Sequence, residues 1–204
     1  MSRIDTIVWD VGNIFIYWDP RRVYADDPRF DDVTAHEWAE RVIKSPWQDD
    51  AYGWNSLVDR GETIAATTAE RISRFPQVFP ELAARFEDYP ALLRRYFTDW
   101  VKSIDEHVPG TRELRDALKA KGYRTFALTN FSAETWPAAT ALYPHLNEFD
   151  GIVMSGQVRM VKPDRDIYEH LFATHHIEPA NAVFIDDSAP NIETARHLGM
   201  NAIF

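Results

Sequence analysis

One stretch near the start of this chain limits its fold more than any other: Ile4-Asp5-Thr6-Ile7-Val8-Trp9-Asp10, running directly into Val11, Gly12 and Asn13. A run of strand formers that closes on a carboxylate and meets a glycine at once describes a β-strand delivering Asp10 to the edge of a sheet. The pattern recurs. Tyr123 to Leu128 is strand-like and closes on Thr129 and Asn130, Asp150 to Ser155 is another strand, and the apolar run Ala182 to Ile185 ends in the pair Asp186 and Asp187. Asn201 to Phe204 reads as a terminal edge strand. Helical spacing fills the intervals: from Thr111, with Leu114, Ala117 and Leu118 on the buried side, to Gly122; from Ser132 to Leu142; through Ile167, Tyr168, Leu171 and Phe172 after Lys162-Pro163-Asp164; and from Pro190 to Leu198 before Gly199. Strands alternating with helices predict an α/β fold, a Rossmann-like parallel sheet covered on both faces.

Between Arg21 and Ile104 the pattern changes. Ile14 to Trp18 predicts a short hairpin or flap beside Asp10, punctuated by Asp19-Pro20. Beyond it, helical spacing runs over Thr34 to Ile43, Thr63 to Ile72, Glu81 to Phe86 and Pro90 to Val101, with prolines as separators. Leu92, Leu93, Tyr96, Phe97 and Trp100 lie three or four apart on one face, as an amphipathic helix requires. Two parts are expected: a discontinuous α/β core, residues 1–19 and 105–204, and an inserted all-helical cap, residues 20–104. A chain of 204 residues has room for both. Trp38, Trp47, Trp54 and Trp100 would form the core of the helical part, because large aromatics pack more often than they recognise ligands.

Charge and cysteine usage remove several function classes. Thirty-two acidic residues against 22 basic ones give a net charge of −10, which disfavours a polyanion-binding surface, so no nucleic-acid partner is expected. There is no cysteine, so any metal must be held by oxygen or imidazole. The seven histidines show no metal-ligand spacing and read as surface residues, and the acid-rich run from Asp19 to Asp32 lacks the ligand alternation of a calcium loop. Neither a signal peptide nor an apolar run long enough to cross a membrane is visible, which makes cytoplasmic residence the default expectation. The charge suits a soluble monomer or small oligomer, and the sequence does not choose between them.

In an open parallel sheet the ligand crevice lies at the carboxyl ends of the strands, where strand order reverses. Asp10, Thr129-Asn130 and Asp186-Asp187 all end strands, and Lys162 enters from a loop. Together they comprise a potential carboxylate nucleophile, two carboxylates able to hold a hard divalent cation, an ammonium, and a hydroxyl with adjacent amide donors. Phosphoryl transfer needs such a set, since it is mostly positioning and charge neutralisation. Paired aspartates at the end of a buried strand are costly unless a cation offsets them.

Four segments, Trp9-Asp10-Val11-Gly12-Asn13, Leu128-Thr129-Asn130, Lys162-Pro163-Asp164 with Ile167-Tyr168, and Phe184-Ile185-Asp186-Asp187-Ser188 with Asn191-Ile192, resemble the motifs of the haloacid dehalogenase superfamily in order and spacing. The likeness spans essentially the whole chain. It is to the branch with a helical cap after the first motif, near the glucose-1-phosphatase-like and epoxide-hydrolase-associated phosphatases. The resemblance implies that Asp10 attacks phosphorus and becomes an aspartyl-phosphate. Thr129 and the amide of Asn130 would bind phosphate oxygens, with Lys162 offsetting charge. Asp187, Asp186 beside it, Asp10 and the carbonyl of Gly12 would hold Mg²⁺. The expected activity is Mg²⁺-dependent hydrolysis of a small phosphorylated metabolite, with sugar phosphates one such class.

Gly12 departs from the pattern. Most phosphatases of this superfamily carry an aspartate there, which protonates the leaving oxygen and later activates water. Its absence implies an enzyme that is weak, selective for good leaving groups, or dependent on an acid from the cap, with His36 and His107 the nearest titrating candidates. Two rivals follow: a metal-independent 2-haloacid dehalogenase using the same Asp10, and a binding or regulatory protein with little turnover. Specificity would come from cap side chains over the crevice, with Trp47, Tyr52 and Trp54 as candidates.

Overall fold

The first strand, β1 (Thr6–Trp9), is buried along its whole length, as its apolar run Ile7-Val8-Trp9 requires of a central parallel strand. The computed structural model describes residues 4–105 and 108–204. After β1, a tight turn in which the amides of Phe15 and Ile16 return to the carbonyl of Val11 leads into β2 (Tyr17–Trp18). The expected hairpin does not close on its neighbour. β2 pairs instead, antiparallel, with β3 (Ile104–Asp105), so a two-stranded clasp joins the places where the chain leaves the sheet region and returns.

Between these strands the elements are helical: α1 (Asp32–Trp38), continued by a π-helical turn to Lys44, α2 (Trp54–Asp59), α3 (Ile64–Val78), α4 (Pro80–Arg85) and α5 (Tyr89–Thr98). Asp31 and Thr63 cap α1 and α3, each side chain accepting an amide N–H of the first turn. Trp38, Trp47, Trp54 and Trp100 are buried, as expected, within an aromatic cluster that includes Tyr24, Phe75, Phe86 and Tyr96. Gly53 fixes the start of α2. A Cβ there would lie 1.8 Å from the carbonyl oxygen of Lys44, so only glycine permits this approach of the two backbones.

The remaining elements alternate: α6 (Thr111–Ala120), β4 (Arg124–Thr129), α7 (Trp136–Leu142), β5 (Gly151–Met154), the short α8 (Ser155–Val158), α9 (Arg165–His175), β6 (Ala182–Ile185), α10 (Ala189–His197) and β7 (Asn201–Ile203). The five long-sheet strands are parallel in the order β5-β4-β1-β6-β7, which places β1 at the centre and β7 at an edge. Side-chain alternation divides the core between the two faces. Ile7 and Trp9 join the cluster that continues into the helical block, whereas Val8, Phe126, Leu128 and Phe184 pack under Tyr168 and Leu171 of α9 and Ile192 of α10. No helix among the described residues is long and apolar enough to cross a membrane.

Two expectations about side chains fail. On α6, Leu114 and Ala117 face solvent and Leu118 is half-buried, while Arg115 is the buried residue. The guanidinium of Arg115 is satisfied there. It donates to the carbonyl of His145 at 2.7 Å, to Glu148 at 2.6 Å and to Asp116 at 2.7 Å, and lies over the rings of Phe15 and Phe149. His145 is the second exception, being buried beside Phe15 rather than on the surface.

Candidate active site

The sheet order makes the site. From β1 the chain steps outward through β4 to β5, then crosses to β6 and β7 on the other side, so the order reverses around β1. In register, Trp9 lies level with Ala127 on one side and Ile185 on the other. Asp10 therefore leaves the sheet between the end of β4, at Thr129-Asn130, and the end of β6, at Asp186-Asp187. The Asp10 amide still donates to the carbonyl of Ile185 at 2.9 Å, which ties the carboxylate to β6.

Lys162 sits beneath this junction, with its Nζ 2.8 Å from Asp10 Oδ1 and 2.6 Å from Asp186 Oδ2. The peptide bond from Lys162 to Pro163 is cis. Asn130 fixes the backbone of Lys162: its Nδ2 donates to the Lys162 carbonyl at 2.9 Å, and the Lys162 amide donates to its Oδ1 at 2.8 Å. Asp186 is wholly buried and its oxygens are engaged, by Lys162, by the amide of Ser188 at 2.8 Å and by Asn191 at 2.9 and 3.0 Å. Asp187 differs. It is exposed at the cleft, where Asn13 Nδ2 donates to one of its oxygens at 2.9 Å.

Burial pushes the Asp10 carboxyl up to about 6, with Asp186 adding to the rise and Lys162 opposing it. The cause is visible in the charge count. Asp10, Asp186 and Asp187 bring oxygens within 4.8 Å of one another, and Lys162 is the cation paired with them. An excess of negative charge on hard oxygen donors, at the mouth of a cleft, is what a magnesium ion requires. The donor set fits that ion. Asp10 and Asp187 are the carboxylates that line the cleft and would hold it, while Asp186 is engaged with Lys162, and Gly12 lines the same cleft.

The cleft above has a volume of about 440 Å³, within the usual range for small-molecule sites. Its floor is Asp10, Gly12, Asn13, Asn130 and Asp187; its walls carry Ile16, Trp18, Phe97, Trp100 and Ile104, with Ser132 and Thr135 on the side of β4. Thr129 closes β4 almost wholly buried and is not part of the cleft lining, so the hydroxyl-bearing residues that line the cleft are Ser56, Ser132 and Thr135.

The expected specificity residues are elsewhere. Trp47 and Trp54 are sealed in the helical block, where their indole N–H groups donate to Val42 and Thr67, and Tyr52 stacks on Arg60. Aromatic size drew attention to them, and the same size explains their burial. Trp18, Phe97 and Trp100 line the cleft instead. Of the two candidate acids, His36 is exposed on α1, in a depression with Asp19, Arg21 and Arg22 that adjoins the cleft at Trp18 and Lys44, and His107 lies outside the described residues. Sequence reasoning missed Asp59. This last residue of α2 lines the same cleft as Asp10 and accepts from Asn55 Nδ2 at 2.9 Å.

Comparison with known proteins gives a coherent set of matches. A family model for "haloacid dehalogenase-like hydrolase" matches residues 16–199. Mouse bifunctional epoxide hydrolase 2 is 36% identical over 91 residues, covering 43% of this chain and 16% of that protein. The sesquiterpene phosphatase astK of Aspergillus oryzae is 31% identical over 83 residues, covering 41% of this chain and 42% of its own. The chain thus spans less than half the length of either relative. Among solved structures, a haloacid dehalogenase-family enzyme of Bacteroides thetaiotaomicron, in complex with magnesium and inorganic phosphate, has a TM-score of 0.65 at 19% identity, covering 98% of this chain and 93% of that one. The L-2-haloacid dehalogenase of Xanthobacter autotrophicus has a TM-score of 0.61 at 15% identity, covering 98% of this chain and 76% of that one.

Proposed function

This chain belongs to the haloacid dehalogenase-like hydrolases, and from that membership we propose that it is a Mg²⁺-dependent phosphomonoesterase that works through an aspartyl-phosphate on Asp10. The observation that carries the reading is the convergence of Asp10, Asp186 and Asp187 within 4.8 Å around a single paired lysine. Such a site attracts a divalent cation and, through it, a phosphate dianion. A free carboxylate substrate, as haloacid dehalogenation requires, would meet repulsion from three carboxylates offset by Lys162 alone. The phosphatase among the relatives and the magnesium and phosphate bound by a fold neighbour agree with this choice.

In this reading residues 20–104 act as a cap over a core made by residues 1–19 and 105–204. A bound magnesium ion would neutralise charge on the phosphoryl oxygens as the nucleophile approaches. Asp10 Oδ attacks phosphorus, held in place by the Ile185 carbonyl at its amide and by Lys162 at its Oδ1. Lys162 offsets charge on nucleophile and phosphoryl group, and the strand-end backbone at Thr129 and Asn130 would supply donors to phosphoryl oxygens. Water then releases phosphate and regenerates Asp10. The substrate is a small phosphorylated metabolite. Phosphate release from a panel of metabolite phosphomonoesters, with and without Mg²⁺, tests the reading. Release that needs Mg²⁺ is expected, and halide release from 2-haloacids without metal would replace this function with the rival one.

A further inference from the structure

Position 12 leaves the site without a side chain at the place where this family usually carries its acid, and the structure shows another carboxyl group lining the same cleft. Asp59, at the C-terminal end of α2, shares the cleft with Asp10 but stands outside the group of carboxylates that converge on the metal position. It is not spent on a metal. Nor is it paired: among the described residues it has no ion-pair partner, and its neighbour Arg60 is engaged with Asp164 at 3.7 Å and with the ring of Tyr52. One relay orients it. The buried Tyr96 hydroxyl donates to Asn55 Oδ1 at 2.8 Å, which sets the amide so that Nδ2 donates to Asp59 Oδ2 at 2.9 Å. Among the described residues Oδ1 has no protein donor, and it is the oxygen free to carry a proton.

We infer that Asp59 is the general acid and base of this active site, supplied by the helical block in place of the side chain that Gly12 lacks. The inference rests on the phosphatase reading. In the first step the bond between Asp10 Oδ and phosphorus forms while that between phosphorus and the leaving oxygen breaks, and the proton on Asp59 Oδ1 passes to the departing alkoxide to give an alcohol. Asp59 is then a carboxylate. In the second step it takes a proton from the water that attacks phosphorus, the Asp10–phosphorus bond breaks, phosphate leaves, and Asp59 is protonated again. Proton count and charge return to their starting values.

The surroundings suit a group that must hold a proton near neutral pH. Burial, and then the negative charge of Asp10, push the Asp59 carboxyl up to about 7, against the opposing hydrogen bond from Asn55. The other charged groups of the cleft are Asp187 and Lys44, with Asp186 and Lys162 beneath Asp10, and Lys44 is paired with Glu40. The carbonyl end of α2 also disfavours a negative charge at its last residue. His36 lies in an adjoining depression and is not among the residues lining the cleft that holds Asp10 and Asp59.

The test compares wild type with Asp59→Asn, an isosteric change, over a series of phosphomonoesters running from nitrophenyl to alkyl leaving groups, with Mg²⁺ present. For Asp59→Asn, kcat/KM should fall by about 10² to 10⁴ for alkyl phosphates and far less for nitrophenyl phosphate, while kcat falls for all because the second step loses its base. The slope of log kcat/KM against leaving-group pKa should steepen, and the loss of rate at high pH should disappear. A second variant guards against a trivial loss of structure. A Cβ at position 12 meets nothing within 4 Å, so Gly12→Asp in the Asp59→Asn background should restore alkyl phosphate hydrolysis. An equal loss across the series, an unchanged slope, or no rescue by Gly12→Asp in a folded protein would overturn the inference alone. No phosphate release by the wild-type chain from any member would overturn the phosphatase reading, and this inference with it.

Discussion

Asn130 and Lys162 hold each other through two reciprocal hydrogen bonds, amide side chain to backbone, at 2.9 and 2.8 Å. The clamp is not a contact with the reacting atoms. It fixes the loop from which Lys162 reaches both Asp10 and Asp186, so its effect on rate is one of position.

Asn130→Ala should therefore lower kcat by about 10², the scale of loss from a misplaced catalytic group, with a smaller effect on KM. Steady-state kinetics beside a thermal melt checks this. A variant with wild-type kcat contradicts the positioning role.

Without metal, the site should destabilise the protein as pH rises. Asp59, raised to about 7, acts in the same direction as Asp10, which is raised from 3.8 to about 6, so over this range the folded state binds more protons than the unfolded one, and stability falls with increasing pH. The nominal limit is about 3 kcal/mol for a shift of this size. Aspartates held down by arginines, such as Asp27 beside Arg29, have the opposite slope, but only in the acid range well below pH 5. Melting temperature in EDTA should accordingly drop from pH 5 to pH 7.5, and Mg²⁺ should raise it at pH 7.5. An Asp10→Asn variant should show a weaker drop in EDTA; one as steep as wild type contradicts the assignment.

Gly53 should tolerate no side chain. Gly53→Ala forces Cβ against the Lys44 carbonyl and must displace the start of α2, and with it Asn55 and Asp59. Melting temperature should fall by several degrees, equivalent to roughly 1–3 kcal/mol, and alkyl phosphate hydrolysis should fall more than nitrophenyl phosphate hydrolysis. Equal melting temperatures would show that the backbones separate without cost.

The apolar wall should select the organic part of the substrate. Ile16, Trp18, Phe97 and Trp100 offer surface for hydrocarbon or aryl groups. Trp18→Ala should raise KM for an aryl phosphate by about tenfold, which corresponds to about 1.4 kcal/mol, and leave inhibition by inorganic phosphate unchanged. A matching change in phosphate inhibition would place Trp18 at the phosphate itself.

The sheet was legible because strands buried on both faces of a parallel sheet carry apolar runs, and Ile7-Val8-Trp9 of β1, Phe126-Ala127-Leu128 of β4 and the whole of β6 are such runs. The same rule exposed Asp10 and Asp186-Asp187, since carboxylates directly after such strands stand out. Asp59 had no such frame. It belongs to a six-residue helix too short to show a period, and its partner Asp10 is brought to it only by the tertiary fold. A weak signal was present in Asn55 and Asp59, four residues apart before Gly61, with a carboxylate where the helix end disfavours one. Arg115 was misread for a related reason: choosing the buried face of α6 by its leucines ignores that a guanidinium with three acceptors and two aromatic faces is well accommodated inside.

The most direct test of the central claim is to mix the protein with nitrophenyl phosphate and Mg²⁺, quench in acid within the first turnover, and locate any phosphoryl group by peptide mass spectrometry. The account predicts one phosphoryl group on the peptide containing Asp10, accumulating further in Asp59→Asn and absent without Mg²⁺. Phosphate release at the wild-type rate by Asp10→Asn, or a phosphoryl group on any other residue, would contradict it.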